Sequence, residues 1–472
     1  MPTTVTYNNS IIATISSSAT LKTKGTLVPY DFTVSDITSV LNYDEYAMKF
    51  IDRTIVSIPE DVASKISNIS KGAFYECQSL TSVSFPNVIN IGSYAFENCT
   101  SLSIANFQNL SHIGWAAFAG CTTLETIIAP NISALAIGGF QSCTSLESVS
   151  FPNLYTVNEE AFSECTALTS VNFPMVSYIG RSAFFKCYSL TNINFPIIDT
   201  IYDDAFAFCS GLTSVSFSTL RIVYGGAFRF CTSLKTVDFP IYSFQLPSHI
   251  FNGCYELETV NIPNTIAIGN NAFQNCSSLS SVYFQSVSTI GSYAFKGCIT
   301  LKNINVPNVT NISSFAFQDC CMLEHVNFSN LTFLSRELFE RCSALKDANF
   351  SSVSQIEYGT FSECISLSTV SFPNVTDIGS FAFRQCSNLT SVSFPLLKTI
   401  GGSAFMSCYS LSAVYLMSSE IVTGNYSMFD STPLTQSSYL GYFGSIYVPS
   451  SLVDIYKTSA NWSIYASRIV GL

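Results

Sequence analysis

The sequence has little charge and few histidines, and these shortages exclude several classes of function. Charged residues make up 11% of the 472 residues, and the formal net charge is −11. No basic patch is present, so nucleic acid is not expected as a partner. The three histidines, His112, His249 and His325, are far apart in the sequence, and no phosphate loop or zinc motif accompanies them. The sequence therefore predicts neither an enzyme nor a cofactor or metal site.

Long apolar runs are also missing. Hydrophobic residues make up 47% of the chain, but they are dispersed, and no run reaches the roughly 18 residues of a membrane-spanning helix. The first ten residues, MPTTVTYNNS, lack a charged start followed by an apolar core. No signal peptide, C-terminal anchor or membrane span is therefore predicted.

Cysteine, by contrast, is abundant, with 17 residues. Sixteen of them recur every 22 residues, with a single step of 23, and no CxxC pair occurs. One cysteine per repeat, flanked by apolar residues, is typical of a small buried side chain rather than of disulfides or zinc. We expect the extra Cys321, beside Cys320, to be half-exposed and the most reactive thiol. The periodic cysteines are Cys77, Cys99, Cys121, Cys143, Cys165, Cys187, Cys209, Cys231, Cys254, Cys276, Cys298, Cys320, Cys342, Cys364, Cys386 and Cys408.

The repeat around each cysteine carries two periodicities. Phenylalanine lies three residues before every periodic cysteine, and leucine lies three residues after it. An alternating run such as Ser82–Ser84 then predicts a strand with one buried face, which Pro86 ends. The helix-like spacing of Ile91–Leu102 predicts a short helix or a single turn, entered through the flexible Gly92. Strands of successive coils must lie parallel, so the fold is a solenoid.

This unit resembles the BspA-like leucine-rich repeats, with the pattern IGxxAFxxCxxLxxVxFP; residues Phe162–Pro174 match it closely. The resemblance implies an α/β repeat solenoid: a right-handed leucine-rich-repeat coil with a parallel sheet, about 16 coils of 22 residues and small caps. The position that is usually asparagine holds Val88, Leu110 or Ile132, so no buried asparagine ladder is expected there. Known BspA-like proteins are bacterial or protozoan surface proteins linked to adhesion, which implies a secreted or cell-surface location.

Four segments follow from the repeat boundaries. Residues 1–36 form a small β-rich module, with strands predicted around Val5–Tyr7 and at Ile11–Ile15, Ala19–Lys22 and Asp31–Val34. Residues 37–70 form an N-terminal cap with a helix-like stretch at Asn42–Ile51, and residues 71–416 form the repeats. Residues 417–472 form a degenerate coil and a C-terminal cap, in which a capped helix is predicted over Ser450–Lys457. Both end segments resemble those of proteins from gut Firmicutes, the C-terminal one through GSIYVPSSLVDIYK.

One candidate binding site is aromatic. Phe185, Phe208 and Phe230 lie one or two residues before the cysteine, where most coils carry polar or small residues. Tyr202 and Tyr224 replace the turn glycine, and an irregular coil with an extra residue, Tyr242–Phe251, contains Phe244. Gathered exposed aromatic residues mark binding sites. The alternative is local repacking where glycines are missing, and burial of Phe208 and Phe230 would exclude a binding patch.

A second candidate is the outward face of the sheet, which is almost uncharged and rich in short hydroxyl and amide groups. These groups both donate and accept hydrogen bonds, as a glycan or an extended partner requires. The alternative is an ordinary solvated face. The residues selected on this face are Tyr283, Asn192, Asn194, Asn303 and Asn305.

The functional prediction is a non-enzymatic binding or adhesion protein. A monomer would present a rigid surface to a protein or glycan ligand, which could be host-derived. The alternative is a structural spacer or a prophage-associated protein, in which the array sets length and has no specific ligand.

Overall fold

A computed structural model describes residues 3–7, 10–15, 53–435 and 443–472. Strands Thr3–Tyr7 and Ser10–Ile15 form an antiparallel hairpin, at the place where the sequence predicts strands. The further strands predicted at Ala19–Lys22 and Asp31–Val34, and the helix-like stretch Asn42–Ile51, lie outside the described residues. The division of the first 70 residues into a module and a cap therefore stays a prediction.

The repeats form a parallel-strand solenoid of about 18 turns of about 22 residues. This confirms the predicted repeat solenoid. The chain divides into two compact units, residues 1–234 and residues 235–472. In both units a typical turn contributes two short strands, one of three residues after the repeat leucine and one of two residues before the next turn. Within several short parallel sheets, a strand pairs with its counterpart in the next coil, usually 22 residues along the chain, as Ser82 pairs with Ile104 and Asn90 pairs with His112.

In the first unit, the central residue of each three-residue strand is buried and its neighbours face outward. The only α-helix described in this unit is Glu60–Ala63. The three-residue strands are Ser82–Ser84, Ile104–Asn106, Thr126–Ile128, Ser148–Ser150, Ser170–Asn172 and Ser214–Ser216, and the two-residue strands are Asn68–Ile69, Asn90–Ile91, His112–Ile113, Ala134–Leu135, Thr156–Val157, Tyr178–Ile179, Thr200–Ile201 and Ile222–Val223.

The second unit repeats this plan and ends in a cap. The longer strands are Thr236–Asp238, Thr259–Asn261, Ser281–Tyr283, Asn303–Asn305, Asp347–Asn349, Thr369–Ser371, Ser391–Phe394, Ala413–Leu416 and Ser445–Val448. The two-residue strands are Gln245–Leu246, Ala267–Ile268, Thr289–Ile290, Asn311–Ile312, Phe333–Leu334, Gln355–Ile356, Asp377–Ile378, Thr399–Ile400 and Thr423–Gly424.

The predicted helix of each coil is wrong: this segment is a run of turns. Tyr94 and Asn98 both have positive φ, near 60°, and two such residues per coil interrupt any helix. Alternate N–H groups bond within the coil and to the next coil, as Ala95 N bonds Gly92 O and Phe96 N bonds Ala117 O at 2.7 Å. The turns therefore form a third row of backbone hydrogen bonds between coils, and they leave few backbone groups unpaired.

The turn glycines serve close approach rather than a left-handed conformation, which corrects the sequence interpretation. Gly92 has an ordinary φ, but a Cβ there would lie 2.6 Å from the backbone nitrogen of Lys71 in the preceding coil. A Cβ at Gly180 would lie 2.6 Å from the nitrogen of Glu159. Both contacts are with backbone, which cannot move aside as a flexible side chain can.

The core consists of columns of identical side chains. All sixteen periodic cysteines are buried, as predicted. The Sγ of Cys99 donates to the carbonyl of Phe74 in the preceding coil at 3.0 Å, and most other periodic cysteines repeat this bond. The phenylalanine column stacks face to face, with Phe184 and Phe206 centroids 5.2 Å apart. Cys321 is half-exposed, as predicted, and its reactivity stays a prediction.

An asparagine ladder is present one residue before the position where leucine-rich repeats usually carry it. The Nδ2 of Asn109 donates to the carbonyl of Pro86 at 2.8 Å, and Asn131 donates to Gln108 at 2.8 Å. The ladder recurs in the second unit, where Asn308 donates to Gln285 at 2.8 Å. It replaces the buried ladder whose absence the sequence predicted, and it links neighbouring coils at their surface.

The C-terminal cap covers the last core ring with aromatic side chains. Trp462 and Tyr465 are buried and contact Phe429, and the Nε1 of Trp462 donates to the Val422 carbonyl at 2.8 Å. The cap contains Ser450–Leu452 and Ser463–Arg468, both 3₁₀ helices, the α-helix Val453–Thr458 and the strand Ile469–Gly471. The helix predicted after Pro449 is present, but Ser450 bonds the Leu472 carbonyl instead of capping the helix.

Candidate functional site

Three phenylalanines form a row on the turns of the first unit. Phe185 meets Phe208 edge-to-face at 5.5 Å, and Phe208 stacks on Phe230 at 4.8 Å. All three rings are half-buried, so the burial that would exclude a binding patch is not observed. Lys186 and Arg229 lie 5.1 Å from the rings of Phe185 and Phe208 respectively. We call the three phenylalanines, Phe185, Phe208 and Phe230, the Phe row.

The backbone of the Phe row is in an unfavourable conformation. Phe208 and Phe230 have φ of 64° and 58°, a region that bulky residues rarely occupy. Some coils place Asn98, Gly120 or Gly297 at the same position, but most place other polar or charged residues there, such as Lys186 and Arg341. Strain of this kind persists where the surrounding structure holds it, and it concentrates at functional sites. Packing inside the coil therefore does not explain why aromatic residues are here.

A second row is made of tyrosines. Tyr202 stacks on Tyr224 at 4.5 Å and contacts Tyr178 at 4.9 Å. The charge of Tyr202, together with a hydrogen bond between the two hydroxyl groups, raises the pKa of Tyr224. Sequence reasoning identified Tyr202 and Tyr224 but missed Tyr178, which occupies a strand position instead of the turn position. We call these three residues the Tyr row.

Exposed aliphatic side chains accompany the Tyr row. Met175 and Ile197 are 40% and 44% exposed, and they occupy the ladder position that asparagine holds in earlier coils such as that of Asn131. Ile222, two residues before Tyr224 in the chain, is also exposed. Apolar residues thus replace the ladder asparagine in two of the three coils that carry the Tyr row, whereas Thr219 in the third donates to the Ile198 carbonyl. Contiguous apolar exposure of this kind marks an interaction surface.

The remaining predicted residues lie in other places. Phe244, in the second unit, is 55% exposed and its ring meets that of Tyr242 at 6.2 Å. Tyr283 pairs with Asn305 on adjacent strands, and Asn303 lies on the same exposed face.

Asn192 and Asn194 are exposed in the first unit. There the three-residue strand is reduced to one bridge, between Ser170 and Asn192. The five sheet-face residues therefore occupy two separate stretches of the chain, and neither stretch gathers aromatic rings as the Phe and Tyr rows do.

Sequence reasoning missed a further row, in the second unit. Tyr293 stacks on Phe315 at 4.6 Å, and Tyr358 meets Phe381 edge-to-face at 5.4 Å. The guanidinium carbon of Arg336 lies between the two pairs, 4.5 Å from Tyr358 and 6.0 Å from Phe315. The available signal was an aromatic residue five or six positions before the cysteine in four coils. We call these five residues the mixed row.

The described residues offer little for catalysis or metal binding. No group of three or more His, Cys, Asp or Glu side chains among them could hold a metal ion. Each histidine has a local partner: His112 bonds Ser111, His249 bonds Asn252, and His325 bonds Asp347 at 2.7 Å. Among the same residues, no helix is long and apolar enough to cross a membrane.

Comparison with known proteins supports the repeat assignment. The profile of the BspA type leucine rich repeat region matches residues 46–155, 133–257, 266–389 and 345–447. No curated protein matches the chain. Among solved structures, a leucine-rich repeat protein from Bacteroides ovatus is 21% identical, with a TM-score of 0.42, over 86% of this chain and 88% of its own.

Two further structures are similar in fold. A leucine rich cell surface protein from Faecalibacterium prausnitzii is 23% identical, with a TM-score of 0.34, over 75% of this chain and 84% of its own. The pneumococcal vaccine antigen PcpA is 14% identical, with a TM-score of 0.32, over 86% of this chain and 83% of its own.

Proposed function

Because the chain belongs to the BspA-type leucine-rich repeat family, we propose that it is a non-enzymatic binding protein that takes a protein ligand on the Phe and Tyr rows of its first unit. The repeat scaffold is suited to this role, since within each of the two units backbone hydrogen bonds link successive coils. A rigid surface loses little conformational entropy on binding. Adhesion at a cell surface, to a host or microbial partner, is the setting that this proposal favours.

One observation carries the proposal: Phe208 and Phe230 remain half-exposed although their backbone is left-handed. Most other coils place a polar or charged residue at this position, such as Lys186 or Arg341, so the repeat does not require an aromatic ring there. The same coils also expose Met175, Ile197 and Tyr224. Aromatic and aliphatic side chains that stay rigid and exposed are the typical anchors of protein interfaces.

A second candidate is glycan binding on the sheet face of the second unit. Tyr283 is 55% exposed and lies beside Asn305, with Asn303 on the neighbouring position of the same face. An exposed ring beside amide groups offers both an apolar surface and hydrogen bonds to a sugar. One observation favours the spacer alternative: the rings of the Phe row stack on one another and so cover part of their own apolar surface without a ligand.

The experiment is a binding screen of the purified full chain against extracellular-matrix proteins and a glycan array. A Phe208→Ser/Phe230→Ser variant is screened in parallel, with Phe333→Ser as the matched control, since Phe333 is an exposed phenylalanine of the second unit. A protein ligand lost only in the double variant supports the proposal. A ligand that binds all three proteins equally moves the site to another face, and the absence of any ligand favours the spacer.

A further inference from the structure

The mixed row contains an arginine whose bonding differs from that of its neighbours. Arg229 is held by both oxygens of Asp204, at 2.6 and 3.2 Å. Arg341 is bonded to Asp319 and Glu340 through all three of its guanidinium nitrogens. The guanidinium of Arg336 bonds only Glu337, through Nε at 3.1 Å. Within the described part of the chain, both terminal nitrogens of Arg336 lack a protein acceptor.

The position of this guanidinium is fixed although its terminal nitrogens are free. It occupies the place of a ring between Phe315 and Tyr358, and the bond to Glu337 restrains its Nε edge. Its side chain is 52% exposed. A planar guanidinium that is stacked and restrained in this way presents its two terminal nitrogens in a fork that matches a carboxylate.

The charges around Arg336 leave room for an incoming anion. The Glu337 carboxylate faces the Nε side, and Glu357 accepts the backbone N–H of Arg336 at 3.0 Å. Lys296 adds a second positive charge at the end of the row, 5.5 Å from the Tyr293 ring. The mixed row therefore places a guanidinium with unbonded terminal nitrogens between apolar ring surfaces.

We propose that the mixed row is a second binding site, and that it takes an extended acidic segment of a partner protein. One carboxylate of the segment pairs with the terminal nitrogens of Arg336, and apolar side chains on either side contact Tyr293, Phe315, Tyr358 and Phe381. The row spans four coil steps of about 4.8 Å, or about 19 Å, which an extended peptide of about six residues covers.

Three rings of this row share one left-handed repeat position. Tyr293, Phe315 and Phe381 have φ of 58°, 63° and 58°, where other coils place residues as different as Gly138, Ser182 and Glu160. The repeat thus accepts many residue types at this position, so the backbone does not require rings there. The inference rests on the proposed binding role of the chain, but it uses a different surface.

The test titrates the full chain with a capped hexapeptide, acetyl-Leu-Ser-Asp-Leu-Ser-Leu-amide, in a calorimeter. We expect saturable binding that falls about tenfold or more when the aspartate is replaced by asparagine, because a charge-assisted fork is lost. Arg336→Gln should cause the same loss, and Arg336→Lys a partial one. Arg221→Gln is the matched control, because Arg221 is an exposed, carboxylate-paired arginine of the first unit.

Three results would overturn the inference: no saturable binding, equal binding of the aspartate and asparagine peptides, or full binding by Arg336→Gln. If sodium sulfate competes with the peptide as effectively as a second acidic peptide does, the site is a general anion site. An acidic segment is then excluded as its occupant. The Phe208→Ser/Phe230→Ser variant should bind the peptide normally. Failure of the first-unit proposal is therefore distinguishable from failure of this one.

Discussion

Inside the coils of the first unit the aromatic residues form a column that hardly varies, whereas on the outside they form two short rows within a few coils. Phe184, Phe206 and Phe228 are fully buried and stack at 5.2 and 5.3 Å. Phe185, Phe208 and Phe230 lie within two residues of them in the chain but remain half-exposed. The same ring chemistry thus stabilises the fold at one position and is left available at the next.

The largest expected effect comes from pH, because it acts on the whole interior at once. Burial raises the pKa of the Cys165 thiol from its ordinary value of 9.0 to about 12, and burial raises the pKa of Cys187 and Cys209 as well. Between these values the unfolded thiols lose protons while the folded ones keep them. Stability should therefore be intact below pH 9 and should fall by about 1.4 kcal/mol per pH unit for each buried thiol.

Urea unfolding measured from pH 7 to pH 11 checks this dependence. Cys165→Ala should make the decline shallower, because one buried thiol is gone. Cys321→Ser is the control substitution, at a half-exposed cysteine outside the buried column. A stability that stays constant above pH 9 would contradict the account of the buried column.

The next effect separates the column from the Phe row directly. Phe206→Ala should lower the free energy of unfolding by about 3–5 kcal/mol, since it opens a cavity between two stacked rings. Phe208→Ala should cost about 1 kcal/mol or less, as surface substitutions do. Chemical denaturation of both variants measures the difference. Equal losses would mean that the Phe row belongs to the core and is not a free surface.

A smaller effect is expected where coils cross closely. Gly180→Ala should cost about 1–3 kcal/mol, because its Cβ would lie 2.6 Å from a backbone nitrogen and the coil must shift. Ala136 stands at the equivalent position and already carries a Cβ, so Ala136→Gly should change stability by at most about 1 kcal/mol. Thermal melts of the two variants provide the measurement, and a harmless Gly180→Ala would remove close approach as the reason for glycine.

The smallest effect concerns backbone strain in the Phe row. Phe208→Asn removes the strain of a left-handed phenylalanine, which destabilises the fold by about 1–2 kcal/mol. It also removes ring contacts that stabilise the fold by about 0.5–1.5 kcal/mol. Stability should therefore stay within about 1 kcal/mol of the parent while ligand binding is lost. A strongly destabilised Phe208→Asn would indicate that the ring is needed for folding, and it would favour the repacking alternative.

The period of the repeat predicted the solenoid and its buried residues because phenylalanine, cysteine and leucine recur without exception. It did not distinguish a helix from the observed turns, because both arrangements place these side chains inward at similar spacing. The distinguishing signal was Asn98, Gly120, Asn275 and Gly297, which recur at one left-handed position. The asparagine ladder was also visible in the sequence, at Asn109 and Asn131, but one residue away from the expected place.

The candidate site was only partly predictable. The sequence placed Phe208 and Phe230 at one repeat position, so their stacking follows from the coil spacing. Tyr178 joins the Tyr row from a different repeat position, which a comparison of equivalent positions does not reveal. Arg336 differs from Arg229 and Arg341 in which guanidinium nitrogens are hydrogen-bonded. Only Nε is bonded in Arg336, whereas Arg229 and Arg341 also use terminal nitrogens, and the residue type alone does not reveal this difference.

We propose that the Phe row binds a protein ligand without stabilising the fold. Surface plasmon resonance with a ligand from the screen, measured on the parent chain, Phe208→Ser/Phe230→Ser and Phe333→Ser, compares their affinities. The double variant should keep its melting temperature within a few degrees and bind at least about tenfold more weakly, mainly through faster dissociation. A double variant that binds with the parent's affinity would contradict it.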